Sequence, residues 1–220
     1  MIDWSIYLVT DPDQCAQMGR SVPEVAGLAA RAGARVVQVR AKALDGGAFL
    51  TQVLETAEAI AETDAILIVN DRIDVFLAAR AALAGSSAHV DGVHIGQSDL
   101  PAEAVRALIG PDALLGLSTS TLAEVHAANQ SPAGIDLQGI GPFRATPTKA
   151  EASYSIGVEG IRALTEAATT PTVAIGGVKA TDVAALRGAG VSGVAVVSAI
   201  CLAPDVTDAT DALVRSWRTP

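Results

Sequence analysis

Short apolar runs recur eight times along the chain, and each stops at a polar or glycine-rich cluster. The clusters are Thr10-Asp11, Gln38 to Lys42, Asn70-Asp71, His94 to Asp99, Ser118-Thr119, Gly141-Pro142, Gly176-Gly177 and Ser198. Runs of this length built from Val, Ile, Leu and Ala predict parallel strands buried on both faces. The stretches between them carry helix signals. After the first run, Ser21-Val22-Pro23-Glu24 offers an N-cap followed by proline and an acid in the first turn. Strand and helix alternating eight times predict an α/β fold, a single closed TIM-type (β/α)8 barrel, which collects the polar clusters on one rim where such folds place their chemistry.

The expected strands are Ile6 to Thr10, Arg35 to Arg40, Ala65 to Asn70, Gly92 to Ile95, Ala113 to Leu117, Gly134 to Ile140, Thr172 to Ile175 and Gly193 to Val197. Helices are expected over Val25 to Ala32, Ala48 to Ala61, Asp74 to Leu83, Ala102 to Ile109 and Leu122 to Ala128. Three more follow: one from Val158, one over Thr181 to Ala189, and a last one ending at Trp217. Gly141 to Gly157 is the longest irregular stretch. Strand and helix repeat as architecture, without sequence-level repeats or low-complexity segments.

At 220 residues and 50% hydrophobic, residues 1–220 read as one domain with one core. The 3% aromatic content argues against base-stacking or carbohydrate platforms. A formal charge of -9 argues against nucleic acid and anionic membranes as partners, because both need an extended positive field. Any anionic ligand must therefore be held locally. Cys15 and Cys201 lack C-x-x-C spacing and read as reduced thiols. A first strand at Ile6, with neither a leader pattern nor a run of about 20 apolar residues, points to a cytoplasmic protein.

Three clusters carry candidate chemistry. Gln38, Arg40 and Lys42 alternate with Val39 and Ala41 at a strand end, so period-two geometry points all three to one side. Such cations need anions nearby, which either neighbouring carboxylates or a bound phosphate or pyrophosphate supplies. Asn70, Asp71 and Asp74 follow the third strand, and Asp99 closes the segment after the fourth. Adjacent strands can bring Asp71 and Asp99 together. Two hard oxygen ligands beside cations suit Mg2+ bridging a polyphosphate. The plainer alternatives are Asp71 pairing with Arg72 or capping the next helix, and Asp99 serving as an N-cap before Leu100-Pro101.

The third cluster is the loop Gly141 to Lys149, where Thr146, Thr148 and Lys149 on a proline-stiffened backbone form a candidate anion cradle. Gly176-Gly177 and Ser198 then supply backbone N–H groups in the last two loops, where barrels of this kind bind phosphate. Of the three histidines only His94 sits at a strand end, and no H-x-x-x-H pair suggests zinc. Neither a Gly-x-Ser-x-Gly elbow nor a dinucleotide glycine fingerprint is present.

Tyr7 to Asp11, Gln38 to Lys42, Val69 to Arg72, Asp91 to Asp99, Thr146 to Lys149 and Ala174 to Val178 stand in one order along nearly the whole chain. In these six segments the chain resembles the thiamine phosphate synthase family. The resemblance implies a β/α barrel transferase that joins a pyrimidine methyl pyrophosphate to a thiazole ethyl phosphate, releasing pyrophosphate. It further implies that Gln38, Val39, Arg40, Ala41, Lys42, Asn70, Ser118 and Lys149 bind the pyrimidine pyrophosphate, and that Asp71 and Asp99 hold Mg2+. Thr146, Pro147, Thr148, Gly177, Val197 and Ser198 would take the thiazole phosphate. Arg40, Lys42 and Lys149 would stabilise the departing charge, in a site that needs no protein nucleophile or strong base.

The chain departs from the family pattern in four places, which bear on the fit of the two substrate pockets. Serine stands in Ser118 to Thr121 where histidine is common, Arg144-Ala145 replaces a usual Phe-Pro, Gln138 interrupts an apolar strand, and the loop before the fourth strand is slightly long. Two alternatives share the barrel: a related thiazole tautomerase, disfavoured by the retained Arg40, Lys42, Asp71, Asp99 and Lys149 and by Ser120, and a non-catalytic phosphate-binding barrel. Oligomeric state is not legible.

Overall fold

The strands hydrogen-bond in sequence order, and the eighth closes on the first, so all eight run parallel in one barrel. This computed structural model describes residues 2–144 and 155–219. In chain order the elements begin β1 (Ile6–Val9), α1 (Pro12–Gln17), α2 (Val22–Arg31), β2 (Val36–Val39), α3 (Gly46–Ile60), β3 (Ile66–Asn70), α4 (Ile73–Ala82), β4 (Gly92–Ile95) and α5 (Ala102–Ile109). They continue with β5 (Leu114–Thr119), α6 (Leu122–Gln130), β6 (Leu137–Ile140), α7 (Gly157–Ala167), β7 (Thr172–Ile175) and a 3-10 turn (Ala180–Asp182). The chain then runs through α8 (Val183–Gly188), β8 (Gly193–Val196), α9 (Ser198–Cys201) and α10 (Val206–Arg218). The barrel expected from the sequence is the fold observed.

Alternation along each strand separates two cores. Tyr7, Val36, Ile68, Leu137, Val173 and Ala195 turn inward and fill the barrel. Their neighbours Leu8, Val37, Leu67, Val194 and Val196 turn outward against the helices. The inner face thereby becomes a packed plug, and its last layer forms the floor beneath the C-terminal loops.

Two helices were not expected. α1 starts because the Asp11 carboxylate accepts from the Gln14 N–H at 3.0 Å and Pro12 opens the first turn, a cap signal present in the sequence but short enough to read as a loop. α9 begins at Ser198, which had been expected to end a strand. Other boundaries moved for similar reasons. Asp45 accepts from the Ala48 N–H at 2.9 Å and starts α3 at Gly46. β6 is limited to Leu137–Ile140, with Asp136 just before it bonding the Leu115 N–H and Arg106. Cys15 and Cys201, far apart in sequence, are both buried thiols brought close where α1 meets α9, and the Cys201 thiol donates to the Val9 carbonyl at 3.9 Å.

Candidate active site

The polar layer above the plug begins at Gln38, which is buried and donates through Nε2 to the Tyr7 hydroxyl at 2.7 Å. Burial raises the Tyr7 phenol well above its usual range, so it stays protonated. Val39 and Ala41 pack outward in the helix-facing core, so only their backbones face the rim. β2 ends at Val39, and the expected alternation therefore stops before Lys42, which lies in the following turn. Arg40 is half-buried, its amide donating to the buried Thr10 hydroxyl at 3.1 Å.

Lys42 reaches across to the end of β3, where its Nζ lies 3.3 Å from Asp71 Oδ2. Asp71 has φ 58, the one non-glycine left-handed residue among those described. Its amide donates to the His94 carbonyl of β4 at 2.9 Å, which holds that conformation in place. The Asp99 carboxylate comes from the next loop, fixed by the Gly96 N–H at 2.7 Å. Desolvation first, and then the adjacent Asp71 carboxylate, push the Asp99 carboxyl above its usual range. Two carboxylates thus converge, as expected, beside a cation.

Neither plainer alternative for these acids holds. Arg72 pairs with Asp74 at 2.6 Å rather than with Asp71, and α4 has no side-chain cap. Asp99 ties its own loop, while Pro101 occupies the N-cap of α5 without a side-chain bond.

Ser118 lies at the inner end of β5, and its hydroxyl is 3.0 Å from His94 Nε2. The ring has room because two adjacent strands carry glycine. A Cβ on Gly116 would overlap His94 Nδ1, and one on Gly139 would sit 3.1 Å from Cε1. Alanine in place of glycine in a strand normally stabilises by about 0.5–1 kcal/mol. Here the sign reverses: Gly116→Ala is expected to destabilise by about 1–3 kcal/mol, the usual cost of overpacking. A urea-denaturation midpoint at or above that of the parent would refute it.

On the far side of the mouth, Gly176 and Gly177 have φ 107 and 64, a backbone shape that suits glycine. Ser198 is exposed at the start of α9, with Val197 half-buried before it. Thr146, Pro147, Thr148 and Lys149 lie outside the described residues, as does Ala145. Asn70 is buried at the end of β3, opposite His94 in the ladder.

The departures from the family pattern do not all fall on the pockets. Gln138 is fully buried and faces away from the barrel interior, bonding Asn129, Thr170 and Thr119. Arg144 makes a two-pronged bond to Asp182. Ser120 stands before the N-cap of α6, its amide taken by Glu124. Reading the sequence missed His94, Tyr7 and Thr10 as support for Ser118, Gln38 and Arg40. For His94 the signal was Gly116 and Gly139 placed on neighbouring strands.

A parallel barrel whose C-terminal rim gathers paired carboxylates, cations and glycine-built turns defines an enzyme scaffold for phosphorylated small molecules. A family model described as thiamine monophosphate synthase matches residues 6–200, and the chain belongs to that family. The thiamine-phosphate synthase of Azorhizobium caulinodans is 42% identical over 211 residues, covering 96% of this chain and 93% of that protein. That of Vibrio campbellii is 39% identical over 216 residues, 98% of each. Among solved structures, thiamine phosphate pyrophosphorylase from Pyrococcus furiosus superposes with a TM-score of 0.83 at 30% identity, covering 98% of this chain and 96% of the other. The family and the barrel expected from the motifs are both borne out.

Proposed function

We propose that the chain condenses 4-amino-2-methyl-5-pyrimidinylmethyl pyrophosphate with thiazole ethyl phosphate, giving thiamine phosphate and pyrophosphate, with Mg2+ as cofactor. The observation that carries the reading is the convergence of Asp71 and Asp99 next to Lys42, on the rim of a chain whose relatives are thiamine-phosphate synthases. The metal fits these residues. Two crowded carboxylates, one with its carboxyl pushed up by desolvation and by the other's charge, are residues that would hold a divalent cation. Mg2+ commonly takes one or two carboxylates and fills its shell with water and phosphate oxygens. When bound, it would neutralise charge on the pyrophosphate leaving group.

The residues around that position divide the remaining work. Arg40 and Lys42 hold the pyrophosphate and balance its charge as the bond to the methylene breaks, a role the family resemblance extends to Lys149. Gln38 and Ser118 face the pyrimidine from the floor, each oriented by a partner, Tyr7 and His94 respectively. Donation from the amino group of the ring supports the bond-breaking, and the thiazole nitrogen then captures the methylene. Gly177, Val197 and Ser198 take the thiazole phosphate on the opposite side, and the family resemblance gives Thr146, Pro147 and Thr148 the same ligand. Holding the two substrates face to face removes much of the entropy barrier. No proton transfer by a strong base is needed, which suits a rim poor in such groups. The tautomerase alternative finds no support, because the paired carboxylates and cations would serve no purpose in a proton shift.

No helix among the described residues is long and apolar enough to cross a membrane. A cytoplasmic location belongs to the proposal and is supported by two buried cysteines in thiol form, which suit a reducing compartment. The decisive experiment supplies purified protein with both phosphorylated substrates and Mg2+, following thiamine phosphate by chromatography and pyrophosphate by a coupled assay. Both products are expected only when all three are present. Absence of thiamine phosphate with verified folding and intact substrates would overturn the reading.

A further inference from the structure

The loop after β7 is anchored by consecutive carbonyls. Ile175 O accepts from the Phe143 N–H at 2.8 Å and Gly176 O from the Arg144 N–H at 2.9 Å. Gly177 O accepts from Arg144 Nη1 at 2.9 Å. In an extended strand successive carbonyls point to opposite sides. Here three in a row face the segment after β6, because Gly176 and Gly177 adopt left-handed φ of 107 and 64. The peptides are trans, so each following N–H points opposite to its carbonyl. The amides of Gly176, Gly177 and Val178 therefore turn away from the β6 side. Since β7 lies between β6 and β8, they turn toward β8 and the start of α9. Successive N–H groups presented to one side form a concavity that suits an anion.

Arg144 holds this arrangement because Asp182 holds Arg144. The guanidinium meets the carboxylate with both prongs, Nη2 to Oδ1 at 2.6 Å and Nη1 to Oδ2. It also stacks 4.4 Å above the Phe143 ring. The Asp182 carboxylate is largely buried and accepts from the Lys179 N–H at 2.8 Å, so the anchor is tied to the chain just beyond the loop it steadies. The planar fork matters, since a lysine ammonium cannot make this two-pronged bond.

We infer that Arg144 and Asp182 are positioning residues that aim the Gly177 and Val178 amides at a phosphate monoester, and so set affinity for the thiazole phosphate rather than for the pyrimidine pyrophosphate. This rests on the proposed placement of that substrate at the β7–β8 rim. Neither side chain is assigned contact with substrate. Their pairing neutralises both charges, so the effect is one of orientation.

The test compares the parent protein with Arg144→Lys, Arg144→Met and Asp182→Asn, varying each substrate while the other saturates. Losing a charge-assisted bond that fixes the loop is expected to raise KM for the thiazole phosphate about 10-fold. KM for the pyrimidine pyrophosphate should stay within about twofold, and kcat at saturation should be kept. Arg144→Lys should resemble Arg144→Met. A lysine variant matching the parent would replace orientation with simple charge and overturn the inference, as would parallel changes in both KM values. Inorganic phosphate titrated into parent and Arg144→Met, followed by amide chemical shifts of Gly177 and Val178, provides a readout independent of turnover. Weaker phosphate binding in the variant is expected, and equal binding defeats the inference. If the parent makes no thiamine phosphate, the functional reading falls while this titration still decides the role of Arg144.

Discussion

Asp71→Asn and Asp99→Asn are each expected to keep the fold, require more Mg2+ and lose about 10²-fold in turnover, the scale on which one preorganised stabilising group acts at a reacting centre. The substitutions remove charge and little else. Asn tolerates the left-handed backbone that Asp71 adopts at φ 58, and an Asn amide oxygen at 99 can still accept from the Gly96 N–H, as the carboxylate does at 2.7 Å. Asp71→Asn also leaves Lys42 without its 3.3 Å partner, but that pair is exposed on the lysine side and is worth about 1 kcal/mol or less. A structural role would therefore appear as a small drop in melting temperature with the Mg2+ dependence unmoved. A role in holding the metal would appear as a rightward shift of the Mg2+ titration with melting nearly unchanged. Circular dichroism melting run beside activity against Mg2+ separates the two, and unaltered Mg2+ dependence in both variants would sink the metal assignment.

The strands were legible because burial on both faces forces an unbroken apolar run, and the rim was legible because each run must end where polar chemistry begins. Asp71 and Asp99 could be paired from the sequence once β3 and β4 were known to be neighbours. What sequence could not supply was the direction in which each polar side chain points. Gln138 read as an interruption of an apolar strand that bears on the fit of the pockets, yet it turns outward from β6 into a closed set of bonds with Thr119, Asn129 and Thr170. Lys42 was placed beside Gln38 by extending strand alternation past Val39, where the strand has already ended. Arg144 read only as a departure from the family's Phe-Pro, because its partner Asp182 arrives only when the β6 and β7 loops meet in space. α1 and α9 were missed for a different reason: helices of 6 and 4 residues are too short to show a period.

Electrostatics explain why such a rim works in an acidic protein. The formal charge of -9 repels anions at long range, and screening confines that repulsion to about 8–10 Å at ordinary ionic strength. Close in, the local groups decide. Arg40, Lys42 and the amides of the β7 loop offer positive ends within one mouth, while Asp71 and Asp99 together carry more charge than the Lys42 ammonium beside them offsets. In the proposed reaction this couples the binding of pyrophosphate and metal: each supplies charge that the other lacks.

Gly177→Val is expected to damage the opposite half of the mouth. At φ 64 this residue occupies a region that β-branched side chains avoid, and forcing valine there costs on the order of 1–3 kcal/mol. The chain can answer by keeping φ and bearing the strain, or by rotating the peptide and giving up the bonds from Gly176 O to the Arg144 N–H and from Gly177 O to its guanidinium. Rotation redirects the amides that face β8, and the new methyl groups crowd the approach of a phosphate whichever way the backbone settles. Since about 1.4 kcal/mol is a factor of 10, use of the thiazole phosphate should weaken by roughly 10- to 100-fold. Gln38, Arg40, Lys42, Asp71 and Asp99 stand on β2 to β4 and the loops after them, away from β7 in the ring of strands, so binding of the pyrimidine pyrophosphate should be comparatively preserved. Separate titrations of the two substrates, by calorimetry in the presence of Mg2+, would show the asymmetry. Equal weakening of both would place Gly177 in the general integrity of the barrel rather than at a phosphate, and retention of both affinities would remove the β7 loop from the site.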